Sequence, residues 1–493
     1  MSSPRHRAAS ILLIGGLLAG CTAAVGEAGQ PPPITTSVTS SEVPPTPQLT
    51  LRTDRPRQSP GVIAAGGGDA VYNYGPTLML DGGRYRMWWC SQLGVANPPG
   101  DDILLAESTS MDSRFVGPDG SPGTPVFSGS ATGFDGMHTC DPSVIKVRGT
   151  YYLYYTGAAG DHANGNAIGF ATSPDGRVWS RGNGGKPIVT AARNVLRDNI
   201  YGAGQPAAVH VDGWFYLMFT DTTGRDAGWN GAGQFMLRAK DPAFTVEVET
   251  LSPGGFREFS STAGRMRSVV DAFSADLMWV PALGAFAIAH ETEHGTTITF
   301  WDKDFRKAPA RPIHIPGPWK EGPGLVRDPE GHAVRSVEDP CDRIPVDLVR
   351  ATSTVHAPTD LVHFGADIAN AGACEDPARA PAALRGFAMP SPQRTIDVVV
   401  DGGLLRVERR SVAEKLAIRV LDRRVPALES LPVRARLDAA AKVVTADNRL
   451  AFVLDDHLWP FTDPTLAALN SSVPVPITPR RWHDYADAPT LGR

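Results

Sequence analysis

The sequence predicts an all-β protein: a five-bladed β-propeller behind a lipoprotein signal and a disordered tether, with a small C-terminal α+β extension. Three observations predict it. A two-strand unit recurs along the chain, a Pro/Thr/Ser-rich stretch lies near the N-terminus, and the pattern changes after residue 395.

The N-terminus comes first. Arg5, His6 and Arg7 form a basic region, residues 11–18 are an apolar run too brief to span a bilayer, and Leu18-Ala19-Gly20-Cys21 follows. This is the arrangement of a bacterial lipobox. It predicts a signal peptide over residues 1–20, cleavage before Cys21 and lipidation of its sulfur. An ordinary secretory signal is the alternative, and on either reading the mature protein is exported. The lipidated form would be anchored at the cell membrane, on its extracytoplasmic side. Residues 21–60 contain PPPITTSVTSSEVPPTPQLT, nearly uncharged and poor in large apolar groups, so they are expected to form a tether without a core.

Residues 61–395 carry the repeat. Its copies are GPTLMLDGGRYRMWWCS from Gly75, DPSVIKVRGTYYLYYTG from Asp141, QPAAVHVDGWFYLMFTD from Gln205 and DLMWVPALGAFAIAHET from Asp276, at spacings of 66, 64 and 71 residues. A weaker fifth copy, GPGLVRDPEGH, starts at Gly322. Between copies come DDILLAEST, NAIGFATSPDGRVW, GQFMLRAKDPAF and TTITFWDKDF, so each copy supplies about four strands, the content of one propeller blade. One copy alone is a plain β-hairpin. Four in register make a ring, in which the residue opening each copy faces a shared axial cavity.

Composition narrows the function. A formal charge of −5 leaves no basic excess, which argues against a nucleic-acid partner. The chain has five cysteines and no C-x-x-C spacing. With Cys21 assigned to lipid four remain, and the economical disulfide pairing among three connectivities is Cys90 with Cys140 and Cys341 with Cys374. A monomer is expected.

The elements DPSVIK…GTYYLYYTG and SPDGRVW resemble the five-bladed propeller glycosidases of glycoside hydrolase family 43 and its arabinanase, xylosidase and levansucrase relatives, over roughly residues 70–340. Single blades of this pattern also occur in family-130 glycoside phosphorylases. The resemblance implies three axial carboxylates, of which Asp141 matches the aspartate opening blade two. Blade one opens with Asn73-Tyr74-Gly75 and blade three with Gln205, neither of which is an acid. The catalytic acid and base then fall to Asp141, Asp276 and Glu321, the last in KEGPG. Each has a plainer reading: Asp141 as a turn residue before proline, Asp276 as a strand opener without proline, Glu321 as a solvated loop residue. Tyr74, Tyr201 and Trp279 are candidates for stacking on sugar rings, and Asn73 and Gln205 for hydrogen bonds to hydroxyls.

Two histidines are candidates, His138 for binding substrate and either one for the channel wall or a cation. His138 lies three residues before Asp141, and HETEH from His290 to His294 matches the zinc-protease string H-E-x-x-H. That string needs a helix, whereas here it continues a strand pattern, so a polar channel wall is the expected role. No cofactor is required, although the resemblance allows an axial cation such as calcium, held by His138 or His290. The expected function is hydrolysis of arabinose-, xylose- or galactofuranose-containing oligo- or polysaccharides. A non-catalytic carbohydrate-binding propeller is the alternative, and a glycoside phosphorylase is disfavoured because the openings carry no cation for phosphate.

Residues 396–493 form the extension. RTIDVVVDGGLLRVERRS reads as a hairpin around Asp401-Gly402-Gly403, and Ser411 and Glu414 as a capping box before the helical pattern of Leu416, Ile418 and Leu421. No chemistry is visible there.

Overall fold

The computed structural model describes residues 48–65, 72–93, 100–160, 164–352 and 359–492. The signal peptide, Cys21 and the tether up to residue 47 lie outside them. Apolar runs broken by glycine turns fold as antiparallel strands. After β1 (Arg52–Gln58), to which the chain returns later, β2 (Asn73–Asp81), β3 (Arg84–Leu93), β4 (Gly100–Ser108) and β5 (Thr124–Phe127) form the first group. The second is β6 (His138–Val147), β7 (Thr150–Ala158), β8 (Ala167–Ser173) and β9 (Ser180–Arg181). The third is β10 (Ala203–Val211), β11 (Trp214–Asp221), β12 (Gln234–Ala239), β13 (Glu249–Ser252) and β14 (Gly255–Glu258). The fourth is β15 (Ala275–Val280), β16 (Ala285–Thr292), β17 (Gly295–Trp301) and β18 (Ile313–Pro316). The fifth is β19 (Glu321–Arg327), β20 (Ile344–Thr352) and β21 (Asp360–Ala369), with β1 as its outer strand.

The arrangement is propeller-like. The first strands β2, β6, β10, β15 and β19 pack side by side in a cycle, and a short parallel pairing of Val326 with Leu78 and Arg327 with Met79 joins β19 to β2. Aromatic residues of the second strands fill the space between sheets: Trp88, Trp89, Tyr154 and Tyr155 are at most 1% exposed. Burying each such side chain contributes about 1.5–3 kcal/mol, which is why the repeat is written in tyrosine and tryptophan.

Two expectations are corrected here. The tether ends before residue 52, because β1 pairs antiparallel with β21, Arg52 facing Ala369. Its residues are mostly exposed and charged, so no apolar pattern marks it. Charge pairing holds it instead: Arg57 reaches Asp347 at 2.8 Å and Asp367 at 2.6 Å. The fifth copy, in turn, is not a hairpin. After β19 the chain turns across the ring's far end, where the carbonyls of Pro329, Glu330 and Gly331 accept from the amides of Lys146 (2.6 Å), His210 (2.9 Å) and Trp279 (3.1 Å). Those donors lie on or next to β6, β10 and β15, so this turn blocks that end.

Inside the ring, Arg327 is 1% exposed and joins the first strands of four groups. From β19 it donates to Thr77 Oγ1 of β2 (2.9 Å), the Ala208 carbonyl of β10 (3.2 Å) and the Leu277 carbonyl of β15 (2.6 Å), and pairs with Asp276 at 3.2 Å.

The C-terminal residues add a sheet of β22 (Ala388–Pro390), β23 (Ile396–Val400), β24 (Gly403–Val407) and β25 (Val433–Leu437), then a five-stranded sheet within residues 443–487. The hairpin around Asp401-Gly402 is present. The helix Arg410–Leu416 begins two residues earlier than a box at Ser411 would place it, with Arg409 extended as its N-cap and no side-chain cap bond. Both disulfides form in the expected pairing, Cys90–Cys140 and Cys341–Cys374. The second joins the loop before β20 to the turn after β21.

Arg327→Ala leaves Asp276 buried without its cation. We expect it to lower unfolding free energy by about 3–5 kcal/mol, read by denaturant titration; a loss below 1 kcal/mol would contradict the linking role.

Candidate functional site

Four of the five first strands share one device at their starts. Antiparallel register shifts between Tyr74 and Thr77, Cys140 and Ser143, Gly204 and Ala207, and Glu321 and Pro323. Three shifts contain a proline, Pro76, Pro142 or Pro206, and the fourth ends on one, Pro323; proline has no N–H for the ladder, so the strand bulges. In the first three groups the residue before proline has positive φ: Gly75 (54°), Asp141 (45°) and Gln205 (52°). A non-glycine residue in that region costs about 1–2 kcal/mol, so the fold holds Asp141 and Gln205 in a strained conformation. β15 has no proline and no bulge, and Asp276 pairs regularly with Ala289.

The bulges converge. A cavity of about 40 Å³ is lined by Tyr74 to Thr77, Asp141, Pro142, Gln205, Pro206, Ser274 to Asp276 and Glu321 to Pro323, residues from all five groups. Asp141, Asp276 and Glu321, along with Tyr74 and Gln205, therefore meet at one mouth. The volume holds a few waters and not a sugar ring, so a glycan would lie across the mouth and present one bond to it.

The three carboxyl groups have different surroundings. Asp276 is fully engaged: Oδ1 accepts from its neighbour Leu277 N (2.8 Å) and pairs with Arg327, while Oδ2 accepts from Leu325 N (2.7 Å). Burial raises its pKa, and Arg327 and the two amides oppose the rise. Its oxygens bind strands together, which corrects its assignment as acid or base.

Asp141 accepts from the Tyr201 hydroxyl (3.2 Å) and from Thr156, whose Oγ1 also receives the Gln205 amide (2.8 Å). Burial raises its pKa, while His138, Thr156 and Tyr201 favour the ionised form. Its Oδ1 leans over Gly75 so closely that a Cβ there would sit 2.8 Å from it. The bare glycine of the first opening is thus the space the second opening's carboxylate occupies.

Glu321 is the least supported. Its Oε2 is buried without a hydrogen-bond partner, and burial pushes the carboxyl up to about 7, opposed by the Tyr72 hydroxyl and reinforced by Asp141. Asp141 thus has more donors on its carboxylate than Glu321, while burial raises both groups.

The remaining candidates divide. Tyr74 and His138 both reach Asp101 Oδ2, at 3.2 and 2.5 Å, beside the Cys90–Cys140 disulfide. Asp101 was not among the sequence candidates; the acid pair opening DDILLAEST is its only signal. Gln205 lines the cavity, but its amide donates to Ser274 Oγ at 2.7 Å. Asn73 is not free for a sugar: its amide NH2 donates to the Thr359 carbonyl and its Oδ1 accepts from Trp89 Nε1 and Ser91 Oγ, a consequence of standing two residues before the bulge. Trp279 lies toward the other end of β15, against Phe286, so it cannot stack at this mouth. His290 is on strand β16 and not on a helix, and burial lowers its pKa. His138, Cys140 and Asp141 offer atoms close enough for an ion, but Cys140 is in a disulfide, so the set does not fit calcium's preference for oxygen.

Two exposed tryptophans lie outside the repeat copies. Trp229 is 83% exposed on the β11–β12 connection, where Arg197 gathers the Gly224, Arg225 and Ala227 carbonyls. Trp319 is 40% exposed two residues before Glu321, its indole fixed on the Thr292 carbonyl at 2.8 Å. Neither lies in a repeat copy, so periodicity passed over them.

The chain matches no protein-family model and no curated protein. Among solved structures it is similar to a family 117 glycoside hydrolase of Zobellia galactanivorans (13% identity, TM-score 0.42, covering 66% of this chain and 91% of that one). It is also similar to the catalytic domain of a family 62 α-L-arabinofuranosidase of Coprinopsis cinerea (11%, 0.39, 64% and 97%). A third is a glycosidase from Bacteroides thetaiotaomicron described as putative (11%, 0.39, 64% and 96%). At this distance the likeness carries no weight for the chemistry, which rests on the residues above.

Glu321 gives a stability test. Its ordinary pKa is 4.5 and its folded value about 7, so the folded chain holds the proton more tightly. Stability should fall as pH rises from about 4.5 to 7 and level off above. In Glu321→Gln that part of the slope should vanish, read as a smaller Tm difference between pH 5 and pH 7.5; an unchanged difference would refute the raised pKa.

Proposed function

We propose that this chain is a five-bladed propeller glycoside hydrolase with Glu321 as general acid and Asp141 as general base, acting on arabinose-, xylose- or galactofuranose-containing glycans. The carrying observation is that two buried carboxyl groups with unequal hydrogen-bond support line one mouth, Asp141 with Tyr201 and Thr156 donating to it and Glu321 with one oxygen unpartnered. As the glycosidic C–O bond breaks, Glu321 gives its proton to the leaving oxygen. A water attacks the anomeric carbon and passes its proton to Asp141. Tyr201 and Thr156 hold Asp141 in place, and Trp229 and Trp319 offer flat apolar faces to sugar rings on either side of the bond. Export and lipid attachment at Cys21 would set this chemistry outside the cytoplasmic membrane, where glycans are met.

The second reading is a carbohydrate-binding propeller without turnover. It is favoured by Gln205 standing where the resembled enzymes have an acid, and by the engagement of Asp276.

Incubation of the protein with arabinan, xylan, galactofuranan and their aryl glycosides should release sugar. Asp141→Asn and Glu321→Gln should each lower kcat by about 10²–10⁴-fold, and wild-type activity should decline above pH about 7 as Glu321 loses its proton. Binding in calorimetry with no release would establish the second reading; wild-type rates in both variants would end the first.

A further inference from the structure

The far end of the ring has a second cavity that the proposed hydrolysis does not use. Its volume is about 550 Å³, within the range of small-ligand sites. One wall is made by the tips of the β6–β7 and β10–β11 hairpins and the turn that blocks the ring, and the other by the C-terminal sheet's hairpin and the preceding helical turn. A cavity between two modules, floored by a blocked channel, is separate from the mouth at the other end.

Its lining carries three arginines and three acids, unevenly paired. Every acid that lines it already has a partner: Asp212 pairs with Lys303, Glu330 meets the His210 ring at 3.1 Å, and Asp401 pairs with Arg385 at 2.9 Å. Two lining guanidinium groups, Arg148 and Arg335, form no salt bridge and no side-chain hydrogen bond among the described residues. Arg335 is the informative one. Its Nε is buried and meets no acceptor; burial disfavours its charge, Asp328, Asp401 and Glu330 oppose that from a distance, and Arg385 adds to it. His332 adds a ring whose Nε2 donates to the His210 carbonyl at 2.7 Å, which leaves Nδ1 3.8 Å from Asp328. A buried guanidinium N–H lacking an acceptor is costly to keep. A planar oxyanion would meet its donors in pairs.

We propose that this cavity is a binding site for an oxyanion ligand, a carboxylate or a phosphate, held by Arg335 with Arg148 at the entrance. The shared chemistry admits two sources, a uronate residue of an acidic glycan or free phosphate. Size leaves room for a sugar ring behind the anionic group.

The test uses the intact protein at fixed ionic strength, titrated calorimetrically with galacturonate, glucuronate and inorganic phosphate, with sodium chloride and neutral galactose as controls. We expect saturable binding of at least one oxyanion and none of the controls. Arg335→Gln should weaken it at least tenfold, Arg148→Gln, at an exposed hairpin tip, several-fold, and Asp141→Asn should leave it unchanged. Preference for uronates over phosphate would assign the site to acidic glycan, and the reverse to phosphate. Absence of binding, or equal binding by wild type and Arg148→Gln together with Arg335→Gln, would overturn the proposal. Should Arg335→Gln fail to fold, the Arg148 variant and the wild-type titrations still decide. Because Asp141 and Glu321 take no part, loss of the hydrolase reading would leave this result standing.

Discussion

Everything at the mouth depends on one buried cation. Arg327 reaches from β19 to β2, β10 and β15 through Thr77, Ala208, Leu277 and Asp276, so the first strands are held at fixed spacing by a group that could not stay buried without them. Asp276 completes the arrangement by capping the Leu325 amide. A carboxylate that looks catalytic by register is therefore consumed in holding the ring. The two that remain can then be placed without the flexibility of a loop.

The bulges convert that rigid ring into chemistry. Proline interrupts four of the five ladders near their starts, and in three of them the preceding residue takes positive φ. Strain of this kind concentrates where function needs a side chain aimed against its own backbone preference. Asp141 bears it beside a disulfide on one side and a glycine on the other, and both neighbours serve its position. Glu321 stands opposite, with less support and a proton near neutral pH.

Much of this was legible in the chain. The copies at Gly75, Asp141, Gln205 and Asp276 became the first two strands of their groups, because apolar periodicity and a central glycine leave few alternatives. The convergence of Asp141, Asp276 and Glu321 followed from the same period. What periodicity could not convey was hydrogen-bond partnership. Asn73 and Asp276 sit in the register of site residues yet spend their polar atoms on the fold, and nothing local distinguishes them from Asp141 except the absence of a following proline. Asp101, Tyr72 and Trp229 lie between copies and were passed over. β1 was misread because charge pairing, not apolar alternation, holds it.

That last strand has a consequence for how the molecule comes to be. Arg52 is made early and its partner Ala369 late, so joining them closes a loop on the order of 300 residues, one of the most expensive contacts the chain can make before its local hairpins exist. Synthesis from the N-terminus therefore favours the hairpins first and the latch last. Until the latch engages, β21 presents an open edge to any other extended segment, and the arginines of β1 act as much to deny that edge to strangers as to fasten it.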